Sequence, residues 1–484
     1  MRGSGIRTLA GLTAGWAAAH AQPADRAEVE ALRAQVQRLE AQVGELLRRL
    51  EATERPATAE KRQPPAGAPS NEGEAAMRRS DGARAGRGPT TVAPVAAKSP
   101  ESPRDVKSPE SGVVAESFPT VRLKGLVNVD ARSFGSGDGG PGGDTLVLRR
   151  ARLIAEGSAA RATTFQLTTE FAGSTATVLD ANATVAWHDA VQVRFGRFKT
   201  PIGYEVLQGA AATHFAERSL LSGLLPNRDV GVQLGGRGAG GRLEYAAGVF
   251  NGTVDGTHAD YRDADDRRQL AGRLVLRPGG GWAMGVGAGG GTDRTERTAV
   301  YRTEGQRSYF MYRPGTRTDG GSRRVSPFLE YRSGPFGLLG EAAWSRTTVR
   351  AAAGGAAGQL EHRGWQATAG WMVTGEEWVY GPIAPRHEFD PAGGRWGAWE
   401  LVGRVAETRF DPAAFPRWAS PEASARRAGS AGLGVKWYWS RAAVLGVNWV
   451  RTDFAVARAE PFAVPAALLR QGERLWVSRF QLTF

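Results

Sequence analysis

The chain ends on Trp476-Val477-Ser478-Arg479-Phe480-Gln481-Leu482-Thr483-Phe484. Successive side chains of a strand point to opposite sides. Trp476, Phe480, Leu482 and Phe484 therefore share one face, and the last residue is aromatic. The same texture runs back to Phe118. In Phe165–Phe171, Phe165, Leu167 and Phe171 oppose Gln166, Thr168 and Glu170. In Asp180–His188, Ala181, Ala183, Val185 and Trp187 oppose Asp180, Asn182, Thr184 and His188. In Arg242–Phe250, Leu243, Tyr245, Ala247 and Val249 oppose Arg242 and Glu244. A period of two over short segments, closed by turns such as Phe250-Asn251-Gly252, marks strands with one apolar and one polar face.

A soluble β-sandwich would alternate in the same way. Three features favour a membrane barrel. Trp437, Trp439, Trp449 and Trp476 sit near strand ends, where an interfacial girdle needs aromatics. The stretches Thr253–Arg268 and Thr292–Arg324, rich in Gly, Arg and Asp, read as long surface loops. The C-terminal strand resembles the signal by which the barrel-assembly machinery recognises outer-membrane proteins. Residues 118–484, at about ten residues per strand plus connections, predict an all-β antiparallel barrel of about sixteen strands, with fourteen or eighteen as the neighbouring values. The mean hydropathy of −0.35 is compatible with this, because lipid-facing and lumen-facing residues cancel in an average.

The N-terminal quarter reads differently. Residues 1–21 carry Arg2 and Arg7, a short apolar core and Ala19-His20-Ala21, the pattern of a cleaved export signal. Within 25–51, Val29, Leu32, Val36, Leu39, Val43, Leu46 and Leu50 keep a 3-4 spacing, which predicts a coiled coil. Residues 52–117 are rich in Pro, Ala, Ser and mixed charge, and repeat Lys98-Ser99-Pro100-Glu101-Ser102 at Lys107-Ser108-Pro109-Glu110-Ser111. Such composition predicts a disordered linker that spans the periplasm or meets peptidoglycan.

The net charge is +13, and the segment before residue 118 is nearly balanced, so the excess lies in the body. That argues against a basic nucleic-acid arm and for anionic solutes. Cysteine is absent, which removes disulfides, thiolate metal sites and cysteine nucleophiles. Glu376-Glu377, read as adjacent strand residues, point to opposite faces and cannot share a substrate. His188 and His214 lack metal-ligand spacing, and Gly285–Gly290 lacks the strand-to-helix context of a nucleotide loop. No enzyme and no cofactor is expected.

Two basic clusters stand out. In Leu148-Arg149-Arg150-Ala151-Arg152-Leu153, alternation puts Arg150 and Arg152 on one face and Arg149 on the other. An arginine at mid-bilayer costs roughly 2–4 kcal/mol, so Arg150 and Arg152 should face the lumen and Arg149 a headgroup or subunit boundary. They either attract anions or stiffen the wall by pairing with Glu156, Glu170 or Asp180. In the second cluster a strand ends at Thr200-Pro201 and a long segment follows. It is a candidate for a loop that folds inward and narrows the pore. There Arg197, Lys199 and Arg218 either form a constriction selective for oxyanions or are neutralised by Glu205, Glu217 and Asp229.

Across Phe118–Phe484 the chain resembles the phosphate-selective porin O and P family of Gram-negative outer membranes. The resemblance is carried by Leu148–Arg152, Gly196–Pro201, Glu217-Arg218-Ser219, Arg228-Asp229-Val230-Gly231, Gly248–Gly252, Gly370–Glu376, Gly397–Glu400 and Gly446–Trp449. It implies a sixteen-stranded, homotrimeric, anion-selective channel. It places Arg149, Arg150 and Arg152 in an arginine-bearing wall, and Asp180 and Arg228 near the anion path. Val206–Ala211 departs from the family's better-studied phosphate channels, which carry a lysine and, slightly later, paired serines after the position of Glu205; the resemblance therefore implies general anion preference more than specific phosphate recognition. The expected function is passive diffusion of small, phosphate-like anions. The alternatives are a structural barrel tethered to the cell wall and a porin for another anionic or organic solute.

Overall fold

The structure, a computed structural model, describes residues 117–135, 144–256, 266–351, 355–421, 423–456 and 472–484. The expected export signal, the coiled coil and the linker up to residue 116 lie outside them. The strands are β1 (Thr120–Phe134), β2 (Thr145–Ala160), β3 (Thr163–Glu170), β4 (Thr177–His188), β5 (Val191–Lys199), β6 (Arg228–Gly238), β7 (Leu243–Phe250), β8 (Gln269–Gly279) and β9 (Trp282–Thr295). Then come β10 (Val300–Arg302), β11 (Ser308–Met311), β12 (Arg317–Ser333), β13 (Phe336–Arg350) and β14 (Ala357–Met372). The series closes with β15 (Ala398–Arg409), β16 (Ala425–Tyr438), β17 (Ala443–Val456) and β18 (Gly472–Thr483).

All but β10 and β11 join in one closed antiparallel barrel of sixteen strands, each pairing with its neighbours in chain order. Closure leaves no sheet edge, which satisfies the strand backbone without water. β18 returns to β1 with Phe480 opposite Val129 and Leu482 opposite Val127. Gly125 N–H donates to the Phe484 carbonyl at 2.6 Å, and Phe484 N–H donates back at 3.2 Å. A Cβ on Gly125 would overlap the Phe484 ring, so the terminal aromatic is seated on a glycine. A G125V variant should unseat that ring and lower the fraction of chain that runs as a heat-modifiable folded barrel. An unchanged fraction would show the seat to be dispensable.

Alternation sorts the wall. On β13, Phe336, Leu338 and Trp344 face out and Leu339, Glu341 and Ser345 face in. On β14, Trp365 and Trp371 face out and His362, Gln366 and Thr368 face in. Long connections gather at one end of the barrel and tight turns at the other, as the chain direction of an antiparallel barrel requires. The exception is residues 373–397, a long connection at the tight-turn end.

Three sequence expectations need correction. Thr292–Arg324 is not a surface loop. It contains the end of β9, the β10–β11 hairpin and the start of β12, and Tyr301 and Phe310 in the hairpin are buried. Within Thr253–Arg268, Thr253, Val254 and Asp255 are buried as well. Glu376-Glu377 lies in the 373–397 connection rather than in a strand, so strand alternation does not govern it.

Apolar residues from the connections pack inside the wall. One cluster joins Leu220, Leu221 and Leu224 of a single 3-10 turn to Tyr301, Phe310, Phe410 and Trp418. A second gathers Trp378, Tyr380 and Ile383 against Tyr204, Phe328 and Leu339.

Candidate functional site

β5 stops at Lys199 because Pro201 cannot donate to a ladder. The segment 200–227 then crosses the lumen, tied to inner-wall residues of several strands. Glu341 of β13 accepts from the N–H groups of Tyr204 (2.6 Å) and Glu205 (3.1 Å), and the Tyr204 hydroxyl donates to Glu330 of β12 at 2.6 Å. The Glu205 carboxylate accepts from the Ser219 and Ser222 hydroxyls (2.7 and 2.9 Å) and from Arg404 of β15 (3.2 Å). Lys436 of β16 donates to the Thr213 carbonyl at 2.8 Å, and Ala216 N–H donates to Asn448 of β17 at 2.9 Å.

The loop carries Glu217 to a cluster of guanidiniums. Arg149 holds its carboxylate at 2.6 and 3.1 Å, Arg479 approaches to 2.8 Å, Arg132 to 3.3 Å and Arg150 to 3.5 Å. Asp130 sits behind them and accepts from Arg132 (2.8 Å) and from Arg479 (2.6 and 2.8 Å). Four guanidiniums thus face two carboxylates, leaving two positive charges. Arg150 is buried. With the Asn128 amide turned towards it, Nη1 donates to that oxygen at 3.0 Å, while Nε has no hydrogen-bond partner among the described residues.

Arg149 corrects the sequence expectation. The β1–β2 register shifts between Asn128 and Val129, so that Arg150 pairs with Asn128 and Leu148 with Val129. Arg149 is the extra residue of a bulge. A bulge re-aims a side chain that simple alternation would send outwards, and Arg149 turns to the lumen.

Burial alone would raise the Glu217 carboxyl. Arg150, Arg149 and Arg479 outweigh it and hold Glu217 well below the usual carboxylate range. A folded-state value below the unfolded one stabilises the docked loop above the ordinary glutamate range, and this contribution fades only as pH falls through the depressed value. Glu217 should therefore add no titration step to single-channel conductance between about pH 7 and about pH 5. A step inside that interval that E217Q removes would contradict the assignment.

A second basic group surrounds Asp180, which pairs with Arg228 at 2.8 and 3.0 Å. Arg152 pairs with Glu170 at 2.7 Å, and Glu156 is taken by Lys124 at 2.5 Å. Lys199 Nζ donates to the carbonyls of Val206 (2.8 Å), Leu207 (3.2 Å) and Gln208 (2.6 Å). Arg218 donates to the carbonyls of Glu205 (3.1 Å) and Gln208 (2.7 Å). Burial pushes Arg218 down to about 10, which leaves it cationic at neutral pH. Lys199 and Arg218 are thus held by loop carbonyls, and the Glu205 and Glu217 carboxylates go to other arginines. Arg197 is buried on β5. Beyond Gly196, whose φ is 113°, Arg197 and Phe198 are both covered, so alternation no longer separates the faces there.

The 373–397 connection enters the lumen from the tight-turn end. Trp378 is fully buried, and a Cβ on Gly337 or Gly370 would overlap its ring. Its ring stacks on His214 of the inward loop, with centroids 4.1 Å apart and planes at 6°. Glu400 of β15 fastens both: His214 Nδ1 lies 2.5 Å from Oε1, Trp378 Nε1 donates to Oε1 at 3.1 Å, and the Tyr438 hydroxyl donates to Oε2 at 2.6 Å.

Sequence reasoning missed Arg132, Arg404, Arg479 and the Trp378–His214 contact. The period of two, carried through β18, would have set Arg479 opposite the lipid-facing aromatics. The apolar Trp378-Val379-Tyr380-Gly381-Pro382-Ile383 in a connection was the signal for the Trp378–His214 contact.

The sequence profile of the phosphate-selective porin O and P family matches residues 121–453. No curated protein matches the chain by sequence. Among solved structures, the outer-membrane channel DcaP of Acinetobacter baumannii is similar with a TM-score of 0.50 and 12% identity, over 75% of this chain and 97% of that one. The anion-selective porin from Comamonas acidovorans is similar at a TM-score of 0.47 and 13% identity, over 75% and 99% of the two chains. At 12% identity the likeness to the Acinetobacter channel speaks to the fold alone.

Proposed function

The chain belongs to the phosphate-selective porin O and P family, and on that premise we propose that this outer-membrane porin is a passive, anion-preferring channel narrowed by segment 200–227. One observation carries the reading. Around Glu217 four guanidiniums face two carboxylates, and buried Arg150 keeps a donor with no protein acceptor among the described residues. The uncompensated charge attracts small anions, and a fixed positive excess in a narrow, water-filled passage disfavours cations. Arg149, Arg150 and Arg152 are the wall contacts in this scheme. Arg197, Lys199, Arg218, Arg228 and Asp180 set the field of the second group. A homotrimer with the long-loop end outside the cell and the N-terminal segment in the periplasm completes the proposal. So does assembly directed by the strand that ends at Phe484.

Phosphate is one permeant anion among several in this reading. Lys199 and Arg218 spend their donors on carbonyls of Glu205–Gln208, in the stretch where the family's lysine and serines are replaced. Planar-bilayer recording under a potassium chloride gradient tests the channel. The zero-current potential should have the sign for chloride, and a cation-selective potential would refute the reading. Millimolar phosphate should reduce chloride current only weakly. A second reading, a structural plugged barrel, draws on the two apolar clusters inside the lumen. Complete absence of current would favour it.

A further inference from the structure

The outward face of β14–β18 ends in arginine. On β14, Trp371, Ala369, Ala367 and Trp365 face out, and the next outward residue towards the long-loop end is Arg363. On β17, Trp449 is followed in the same way by Arg451. The register then sets like charges directly opposite each other. Arg363 faces Arg409, Arg409 faces Arg427, and Arg451 faces Arg474. The run continues on β12 and β13, where Arg323 faces Arg346. Like charges directly opposite across a strand pair are destabilising. The local acids do not balance them. Glu407 accepts from both Arg409 (2.5 Å) and Arg427 (2.6 Å), Asp453 accepts from Arg451 at 3.1 Å, and Glu361 accepts from Arg346 at 2.6 Å, three acids for the six arginines named besides Arg474. Arg363, Arg409, Arg427 and Arg451 thus share two carboxylates, and all four are exposed.

We propose that this belt is a binding site for phosphate-bearing lipid headgroups of the outer leaflet. It lies one step beyond the lipid-facing tryptophans, at the end with long loops, the end that faces outwards in barrels of this kind. Headgroup phosphates sit at that depth. Guanidinium forks match phosphate oxygens in pairs, and an anion between facing arginines turns their repulsion into a bridge. The proposal rests on the barrel's place in the membrane and not on what passes through it.

The test uses the full chain in detergent, with its unfolding midpoint followed during titration by diphosphoryl lipid A. The midpoint should rise with that lipid, and not with its dephosphorylated form or with inorganic phosphate at equal phosphate concentration. R363Q/R409Q/R427Q should need on the order of a hundredfold more lipid for half the rise. The lumen variant R149Q/R150Q should respond like the parent. An equal rise with dephosphorylated lipid, or with inorganic phosphate, overturns the proposal, as does an unaltered titration of the triple variant. If the triple variant does not fold, R363Q alone should still need about fivefold more lipid, and no change there is equally fatal.

Discussion

R149Q/R150Q should sharply weaken anion preference. The pair removes two of the four guanidiniums around Glu217 and leaves Arg132 and Arg479 facing Glu217 and Asp130. The local charge falls from an excess of two to balance. The scaffold should survive, because Arg479 still holds both carboxylates and donates to the Ala216 carbonyl, so the loop keeps an anchor on β18. Under a potassium chloride gradient the zero-current potential should move from the chloride side towards zero, with single-channel conductance also reduced. E217Q should act in the opposite sense and strengthen chloride preference. A double variant with the parent's zero-current potential would move selectivity away from this cluster, leaving Lys199, Arg218 and Arg228 as the remaining candidates.

The two results come from different depths of legibility. The barrel was readable because lipid on one side and water on the other force a period of two. Trp476, Phe480 and Leu482 on β18 keep it without interruption. Sixteen strands followed from length. The inward loop was readable from Pro201 and the length of chain before β6. Where its side chains went was not. Glu217 meets arginines from β1, β2 and β18, and only closure of the barrel brings those strands together. Arg149 was sent outwards because a bulge adds one residue to the count, and nothing in Leu148–Leu153 marks which residue is extra. The β10–β11 hairpin failed for a third reason. Its Arg- and Gly-rich flanks read as surface, although Tyr301 and Phe310 are buried in the lumen.

W378A should be the most disruptive single truncation in the lumen. Trp378 fills a slot made by the missing side chains of Gly337 on β13 and Gly370 on β14, stacks on His214 and donates to Glu400. Truncating a fully buried tryptophan costs about 3–5 kcal/mol. The wall strands are held by their own ladders, so the loss should appear locally rather than as barrel unfolding. The 373–397 connection and the His214 end of the inward loop lose their shared contact. Conductance should rise and become noisy while heat-resistant barrel migration changes little. W378F should restore much of the quiet state, since it refills the slot and keeps a ring against His214 but cannot donate to Glu400. If W378A conducted as steadily as the parent, the two inward segments would be independent, and the narrowing would belong to segment 200–227 alone. If it lost the folded barrel altogether, the glycine slot would be part of wall assembly, and Trp378 would be needed before any passage exists to be narrowed.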